Sequence, residues 1–258
     1  MRNPFLTAAM SSGAFVALWW LAVLLLKLPA YLLPAPDVVL DRVVFLARNA
    51  DLLSHLAVST SELMLGFAFG SLVGALASSW FAHMPLAERL VSPLIVLIQT
   101  APKIALAPLL VLWLGFGLSS KVVLVAVVVF LPVMASTLAG IRAIPRSVWD
   151  LCQVLKLSPA ERFRRVELPF ALPAILAGMR IGTTQAITAI VIGEMLGAKL
   201  GLGVLLAMGQ ETNDAAIVIA IVAVLSLLGY ALYLLVHWCE RRFLGWHESQ
   251  RHLQIGTA

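Results

Sequence analysis

Polar side chains that could handle a solute are rare in this sequence and interrupt otherwise apolar segments. Pro102 and Lys103 adjoin within one such segment, and Glu194 lies near the end of a later one. A lysine at the centre of a bilayer costs about 2.5–3.5 kcal/mol, whereas one near a helix end extends its charge to the interface. Lys103 fits both placements, and if it faces a pathway it favours an anionic solute. Glu194 is either a functional acid or a solvated interfacial one.

Hydroxyl and amide side chains give one later apolar segment a polar side. The residues concerned are Thr183, Thr184, Gln185 and Thr188. Two interpretations stay open for this side, because the same groups could line a path for a solute or form hydrogen bonds between helices.

Motifs that mark common enzymes are absent from the sequence. It contains no G-x-x-x-x-G-K-[ST], H-E-x-x-H or G-x-S-x-G pattern. The chain therefore has no phosphate-cradling loop of its own and no catalytic or metal-binding constellation that these motifs would supply. Its two cysteines, Cys152 and Cys239, form no C-x-x-C pair. We expect a chain that is not an enzyme and holds no metal.

The composition shows what surrounds these residues. Hydrophobic residues make up 61% of the 258 residues and charged residues 12%, against about 45–50% and about 25% in soluble domains. The mean hydropathy is +0.99. So few charges cannot cover a soluble surface of this size, which predicts an integral membrane protein in contact with lipid. The net charge of +5 is concentrated in a few loops, so we expect no nucleic-acid partner.

Six segments are long and apolar enough to cross a bilayer as helices, which need about 20 residues each. They are 12–33, 63–83, 91–116, 122–141, 171–196 and 215–238. Helices are expected because an open sheet cannot satisfy its backbone in hydrocarbon. With no evident linker, we predict one all-α membrane domain over residues 1–258. Residues 33–53 are predicted to be an outer loop with a short surface helix.

The distribution of Lys and Arg predicts the orientation of the spans. With the N-terminus inside, eleven of the 18 basic residues fall in inner segments, five in outer segments and two within spans. Because cytoplasmic loops carry the excess of positive charge, both termini are predicted to be cytoplasmic.

Small residues recur every fourth position in the second predicted span. Gly66, Gly70, Gly74 and Ser78 share one helix face, and this spacing allows helix backbones to approach closely. We predict that the stripe packs within the bundle or against a second copy.

Residues 142–169 form the longest polar stretch, on the predicted cytoplasmic side. Two segments, Ser147 to Asp150 and Ser158 to Glu161, have the form of capping boxes, and Pro159 occupies a first helical position. They predict two short helices joined by a turn, with Pro169 ending the polar stretch. An amphipathic surface helix that merely covers the bundle is the alternative.

This stretch resembles the cytoplasmic "EAA" loop of bacterial ABC permeases, E-A-A-x3-G-x9-I-x-L-P. Asp150 stands at the glutamate, Leu151 and Cys152 at the alanines, Lys156 at the glycine, Val166 at the isoleucine, and Leu168 and Pro169 are kept. In that family the loop forms a coupling helix that docks on the ATPase subunit. The resemblance assigns ATPase coupling to Asp150, Leu151, Cys152, Lys156, Leu168 and Pro169. A glycine at 156 would permit positive φ, which lysine adopts poorly.

Three further segments, 33–39, 100–117 and 193–203, resemble permeases for nitrate, sulfonate, taurine and pyrimidine-type solutes. The resemblance implies a six-span, type I ABC importer permease in the bacterial inner membrane, which imports a small anionic or heterocyclic solute. It also implies a second permease copy, a cytoplasmic ATPase that binds ATP and Mg, and a periplasmic or lipid-anchored binding protein. The chain itself would bind no cofactor.

Two other functions remain open from the residues alone. An ion-gradient-driven secondary transporter would need intramembrane acids, for which Glu62 and Glu194 are candidates, and usually an inverted repeat, which is not evident. A membrane enzyme is disfavoured by the missing motifs.

Overall fold

The fold is that of a computed structural model, which describes residues 4–27, 29–84, 86, 89–90, 93, 97, 100 and 102–244, all helical or irregular. The helices that position the candidate residues are α1 (Pro4–Leu26), α2 (Pro36–Asn49), α3 (Leu52–His83), α4 (Lys103–Leu114), α5 (Leu118–Arg142), α6 (Arg146–Val154), α7 (Pro159–Arg162), α8 (Leu168–Met195), α9 (Leu202–Glu211) and α10 (Ala215–Phe243). A π-helical turn, Phe163–Glu167, joins α7 to α8.

Four helices in the described ranges are long and apolar enough to cross a membrane: Leu52–His83, Leu118–Arg142, Pro159–Met195 and Ala215–Phe243. Two shorter apolar helices, Gly13–Leu26 and Ala105–Leu114, lie within the first and third predicted spans. The prediction of an all-helical membrane fold is confirmed. Several residues of the third predicted span, between 91 and 101, lie outside the described residues.

The structure differs from the prediction at the start of α3, at the end of α10 and in the additional helix α9. α3 begins at Leu52 rather than near 63, because polar residues at its start face protein instead of solvent. Pro108 lies inside α4, where it removes one backbone N–H and leaves the other hydrogen bonds of the helix in place. α10 continues to Phe243, and α9 occupies a stretch that the sequence analysis left unassigned. The surface helix predicted within 33–53 is α2.

Contacts divide the chain into two compact units, and α3 and α10 each contribute to both. In the first unit (1–59 and 197–227), the Leu202 N–H donates to Ser59 Oγ at 2.8 Å and so caps α9. Arg42 pairs with Asp214 at 2.6 Å, while Asp214 Oδ1 accepts from the Ala216 N–H at the start of α10 at 3.0 Å.

In the second unit (60–196 and 228–258), the glycine stripe of α3 packs against the backbone of α5. A Cβ at Gly70 would lie 2.4 Å from the Ala126 carbonyl oxygen, and one at Gly66 would lie 2.8 Å from that of Val122. Gly74 faces the Phe130 carbonyl in the same way, at 2.8 Å. A side chain has no room at these positions, which is the packing role that the spacing predicts.

Small residues also bring α8 close to α5. A Cβ at Gly178 would lie 2.8 Å from the Val133 Cα. The buried core of this unit lies among α3, α4, α5, α8 and the later half of α10, and includes Leu63, Phe67, Val125, Val129, Ile190 and Leu232. α3, α5 and α8 therefore form one packed group, in which α5 and α8 flank the polar loop.

Candidate functional site

The polar loop is a helix–turn–helix, but its second helix is not separate from the following span. α6 covers Arg146–Val154, and the chain resumes at Pro159. From there it continues without interruption through Phe163–Glu167 into α8. The two-helix prediction therefore holds for the start of the loop and fails at its end.

One of the two predicted capping boxes is present. Ser158 Oγ accepts from the Glu161 N–H at 3.3 Å, and Glu161 Oε2 accepts from the Ser158 N–H at 3.0 Å and from its hydroxyl at 2.8 Å. These hydrogen bonds hold the pKa of the Glu161 carboxyl below its ordinary value. The predicted box at Ser147 is wrong, because α6 begins at Arg146 with Pro145 at the N-cap, so Ser147 already lies inside the first turn.

The turn after α6 has the geometry that the motif glycine would favour. Lys156 adopts a φ of +48°. The Leu157 N–H donates to the Cys152 carbonyl at 3.1 Å, and the Lys156 N–H donates to that of Gln153 at 3.0 Å. These two bonds define a Schellman C-cap, in which the residue after the helix is left-handed. Lys156 thus keeps the family's turn at a conformational cost.

Pro169 lies in the first turn of α8, where the polar stretch gives way to the apolar span, but it does not interrupt the helix. A proline removes one backbone N–H, and its ring collides with the carbonyl four residues earlier. The π-helical turn directly before it accommodates the ring, since the Leu168 N–H reaches back five residues to the Phe163 carbonyl.

Glu167 is a buried acid that joins the loop to the end of α3. Its side chain is 1% exposed, and Oε1 accepts from Arg162 Nε at 3.0 Å and lies 2.9 Å from His83 Nε2. Oε2 accepts from Ser79 Oγ at 3.3 Å. His83 Nδ1 in turn lies 2.7 Å from the Ser79 carbonyl oxygen, so both ring nitrogens contact oxygen atoms.

No role was predicted for Glu167, although it lies inside the motif. An acid between apolar Val166 and Leu168, in a stretch rich in arginine, was the available signal. The partners that give it meaning lie 84 and 88 residues earlier in the chain, beyond any local pattern.

Three apolar residues of α6 and its C-cap are exposed. Leu151, Val154 and Leu155 are 55%, 77% and 59% exposed. Asp150 and Lys156 are also exposed, whereas Cys152 is buried on the inner side. Of the other predicted coupling residues, Leu168 is 39% exposed and Pro169 half-buried.

A pocket of about 300 Å³ brings three of the predicted path residues together. Its lining consists of Thr184, Gln185, Thr188, Ala189 and Ile192 on α8 with Leu124 and Val128 on α5. The lining thus combines an apolar wall with neutral hydrogen-bonding groups and carries no formal charge. Both threonine hydroxyls donate to carbonyls of their own helix, at 3.0 and 3.3 Å, which leaves their oxygens able to accept from a solute.

The remaining path residues do not line this pocket. Pro102 is exposed and forms the N-cap of α4, and Lys103 is the first residue of that helix; the Lys103 side chain lies outside the described part of the chain. Glu194 is completely buried, so its interpretation as a solvated interfacial acid is wrong.

Comparison with known proteins identifies the chain. Residues 53–245 match the model of a family described as the binding-protein-dependent transport system inner membrane component. The chain belongs to this family. It is therefore a multi-pass membrane permease subunit of an ABC importer and not an enzyme, and this class of permease works with an ATPase and a solute-binding protein.

Relatives and solved structures agree with that assignment. The permease is 30% identical over 246 residues to the riboflavin transport system permease protein RibX of Chloroflexus aurantiacus, covering 95% of this chain and 92% of that protein. It is 31% identical over 240 residues to the taurine transport system permease protein TauC of Escherichia coli, covering 91% and 87%.

The solved structures show the fold. The MetNI methionine ABC transporter, in an inward-facing conformation, has a TM-score of 0.63 at 19% identity over 76% of this chain and 98% of that chain. An amino acid ABC transporter gives 0.61 at 18% identity over 77% and 97%. The permease therefore has the type I fold that the resemblance implied.

Family membership sets aside the ion-gradient-driven alternative, and the structure removes part of its support. Glu62 of the permease does not mark the start of α3. It lies 2.6 Å from Lys121 Nζ on α5, with both side chains more than nine-tenths buried. Arg180 of α8 likewise pairs with Glu240 of α10 and lies 5.7 Å above the Tyr233 ring. The Glu62–Lys121 pair neutralises charge inside the bundle, whereas the Arg180–Glu240 pair is partly exposed.

Proposed function

We propose that two copies of this permease enclose the path of an ATP-driven importer and that a cytoplasmic ATPase subunit docks on α6. ATP and Mg²⁺ are bound by that partner. A periplasmic or lipid-anchored binding protein delivers the solute to the outer face, and both termini of the permease lie in the cytoplasm. The whole chain acts as one membrane domain.

The observation that carries the docking proposal is the exposed apolar face of α6. Leu151, Val154 and Leu155 are each more than half exposed, on a short helix whose surroundings are too polar for lipid. A partner that covers such a patch gains about 25 cal/mol per Å² of apolar area removed from water. Asp150 and Lys156 flank the patch as rim charges, while buried Cys152 supports the helix from inside; Leu168 and Pro169 begin α8.

Docking is tested by charge placed within the patch. Val154→Asp should abolish co-purification of the ATPase subunit while the permease still inserts, and Gln153→Ala, an exposed polar change on the same helix, should leave co-purification intact. Asp150→Lys should uncouple transport from ATP hydrolysis. If the ATPase co-purifies normally with Val154→Asp, the docking surface lies elsewhere.

The solute path is proposed to follow the neutral polar side of α8. Thr184, Gln185 and Thr188 offer hydrogen bonds beside an apolar wall, which suits a small solute with polar edges. RibX and TauC are permeases for riboflavin and taurine, and a relative in Halalkalibacterium halodurans, 31% identical over 235 residues, is a formylaminopyrimidine permease. These support a small heterocyclic or anionic solute.

Two measurements test the path. Mass spectrometry of the ligand that co-purifies with the partner binding protein identifies the solute. With that solute, Thr184→Val and Thr188→Val should raise the KM of uptake while the ATPase remains bound. Lys103→Met and Glu194→Gln show whether those residues take part, and Pro102→Ala tests the break before α4. Unchanged uptake in all five variants contradicts the proposed path.

A further inference from the structure

α3 is not next to the polar loop in the chain, yet side-chain contacts join the two. The loop connects α5 to α8 in the chain, whereas α3 ends at His83, before both. A load on α6 therefore reaches α5 and α8 through the backbone, but it reaches α3 only through contacts between side chains and packed surfaces.

The shortest polar route from α6 to α3 passes through Glu167. The Arg162 guanidinium lies 5.3 Å above the ring of Trp149 on α6, and its Nε donates to Glu167 Oε1 at 3.0 Å. The same oxygen lies 2.9 Å from His83 Nε2, and the other accepts from Ser79 Oγ at 3.3 Å. One carboxylate thus has partners in the loop and in α3.

Apolar packing surrounds this polar contact. Ile141, Ile144 and Ala171 form a buried cluster against which Ala82, Val148, Trp149, Val166 and Ile175 pack. The carboxylate is 1% exposed, and a buried charge without partners is strongly unfavourable. The contacts of Glu167 are therefore expected to persist when the loop moves, because separation would leave the charge unpaired.

We propose that Glu167 is a positioning residue that transmits the movement of α6 to α3, so that α3 moves together with α5 and α8 when the ATPase moves the loop. This inference rests on the proposed docking of the ATPase on α6. It goes beyond that docking because it assigns the step after it: the loop, Glu167 and the cytoplasmic end of α3 move as one rigid piece.

The test follows two distances in the permease–ATPase complex. On a background with Cys239→Ala, in which Cys152 is kept because it is buried, spin labels are placed at Met84→Cys, just after α3, or at Gln153→Cys, on α6; both positions are exposed. Pulsed electron paramagnetic resonance then measures the distance between the labels on the two copies, before and after trapping with ATP and vanadate. In the otherwise unmodified protein, we expect both distances to shorten together.

Glu167→Ala should leave the shortening at Gln153 and remove at least half of that at Met84. His83→Ala should do the same while keeping the Arg162–Glu167 contact, so it remains informative if Glu167→Ala does not fold. Glu161→Gln keeps its capping role and serves as the matched loop acid that changes neither distance.

Each outcome has one meaning. If Met84 follows Gln153 fully in both Glu167→Ala and His83→Ala, the transmission proposal is wrong although docking stands. If Gln153 does not move in the otherwise unmodified complex, the docking proposal itself fails, and the inference fails with it.

Discussion

Replacing Lys156 by glycine should stabilise the turn that follows α6. The left-handed conformation costs a non-glycine residue about 1–2 kcal/mol, and Lys156 has a φ of +48°. Glycine adopts it freely but loses about 0.5–1 kcal/mol more in unfolded-state freedom. The difference is a gain of about 0.5–1 kcal/mol, which corresponds to roughly two- to fivefold slower local opening.

Hydrogen exchange at the Leu157 amide measures that opening, because its N–H closes the turn on the Cys152 carbonyl at 3.1 Å. Lys156→Gly should slow this exchange. Lys156→Ala is the matched control, since it removes the charged side chain but retains the Cβ that makes positive φ costly. Equal slowing in both variants, or faster exchange in Lys156→Gly, would refute the argument from backbone strain.

Three further predictions concern packing and charge. Gly70→Ala should lower the free energy of unfolding of the purified protein, measured by thermal denaturation, by about 1–3 kcal/mol, because overpacking at a backbone contact is costly. Gly13→Ala, where a Cβ meets nothing within 4 Å, should not lower it. Lys121→Met should cost roughly 3–5 kcal/mol in denaturant unfolding by leaving Glu62 buried and unpaired, and adding Glu62→Gln should recover much of the loss. The pKa of Glu161 is lowered in the folded loop, so its stabilising effect should be complete above the ordinary value of about 4.3 and disappear as pH falls through the lowered pKa. Hydrogen-exchange protection of the loop, corrected for intrinsic rates, should fall over the same pH range. Glu161→Gln should remove this pH dependence.

Features that depend on neighbours in the chain were predictable. The capping box of Ser158 and Glu161 needs only a spacing of three residues. The glycine stripe needs only a spacing of four, because a helix places such residues on one face. The Ser147 prediction failed on an equally local matter, since Pro145 sets an earlier helix start and moves Ser147 into the first turn.

Features that depend on distant contacts were not predictable. Lys121 lies between the third and fourth predicted spans, yet it is buried against a residue 59 positions earlier. Glu167 was unremarked, although it binds His83 and Ser79. A single sequence shows which residues are charged and which segments are apolar, but it does not show which charged groups meet once helices pack. The composition therefore predicts that lipid surrounds the chain, but not which charged side chains pair.

The π-helical turn before Pro169 has a consequence for insertions and deletions. Each residue of an α-helix advances the helix by about 100° around its axis. A π-helical turn holds about one residue more than an α-helical turn. Removing one residue from Phe163–Glu167 would therefore let this segment close as a regular α-helix and leave α6 on the same side of α8, whereas removing one residue from within α8 would turn everything upstream by about that angle. The direction in which the proposed docking helix α6 points should therefore be less sensitive to a one-residue deletion in the π-helical turn than to the same deletion inside α8.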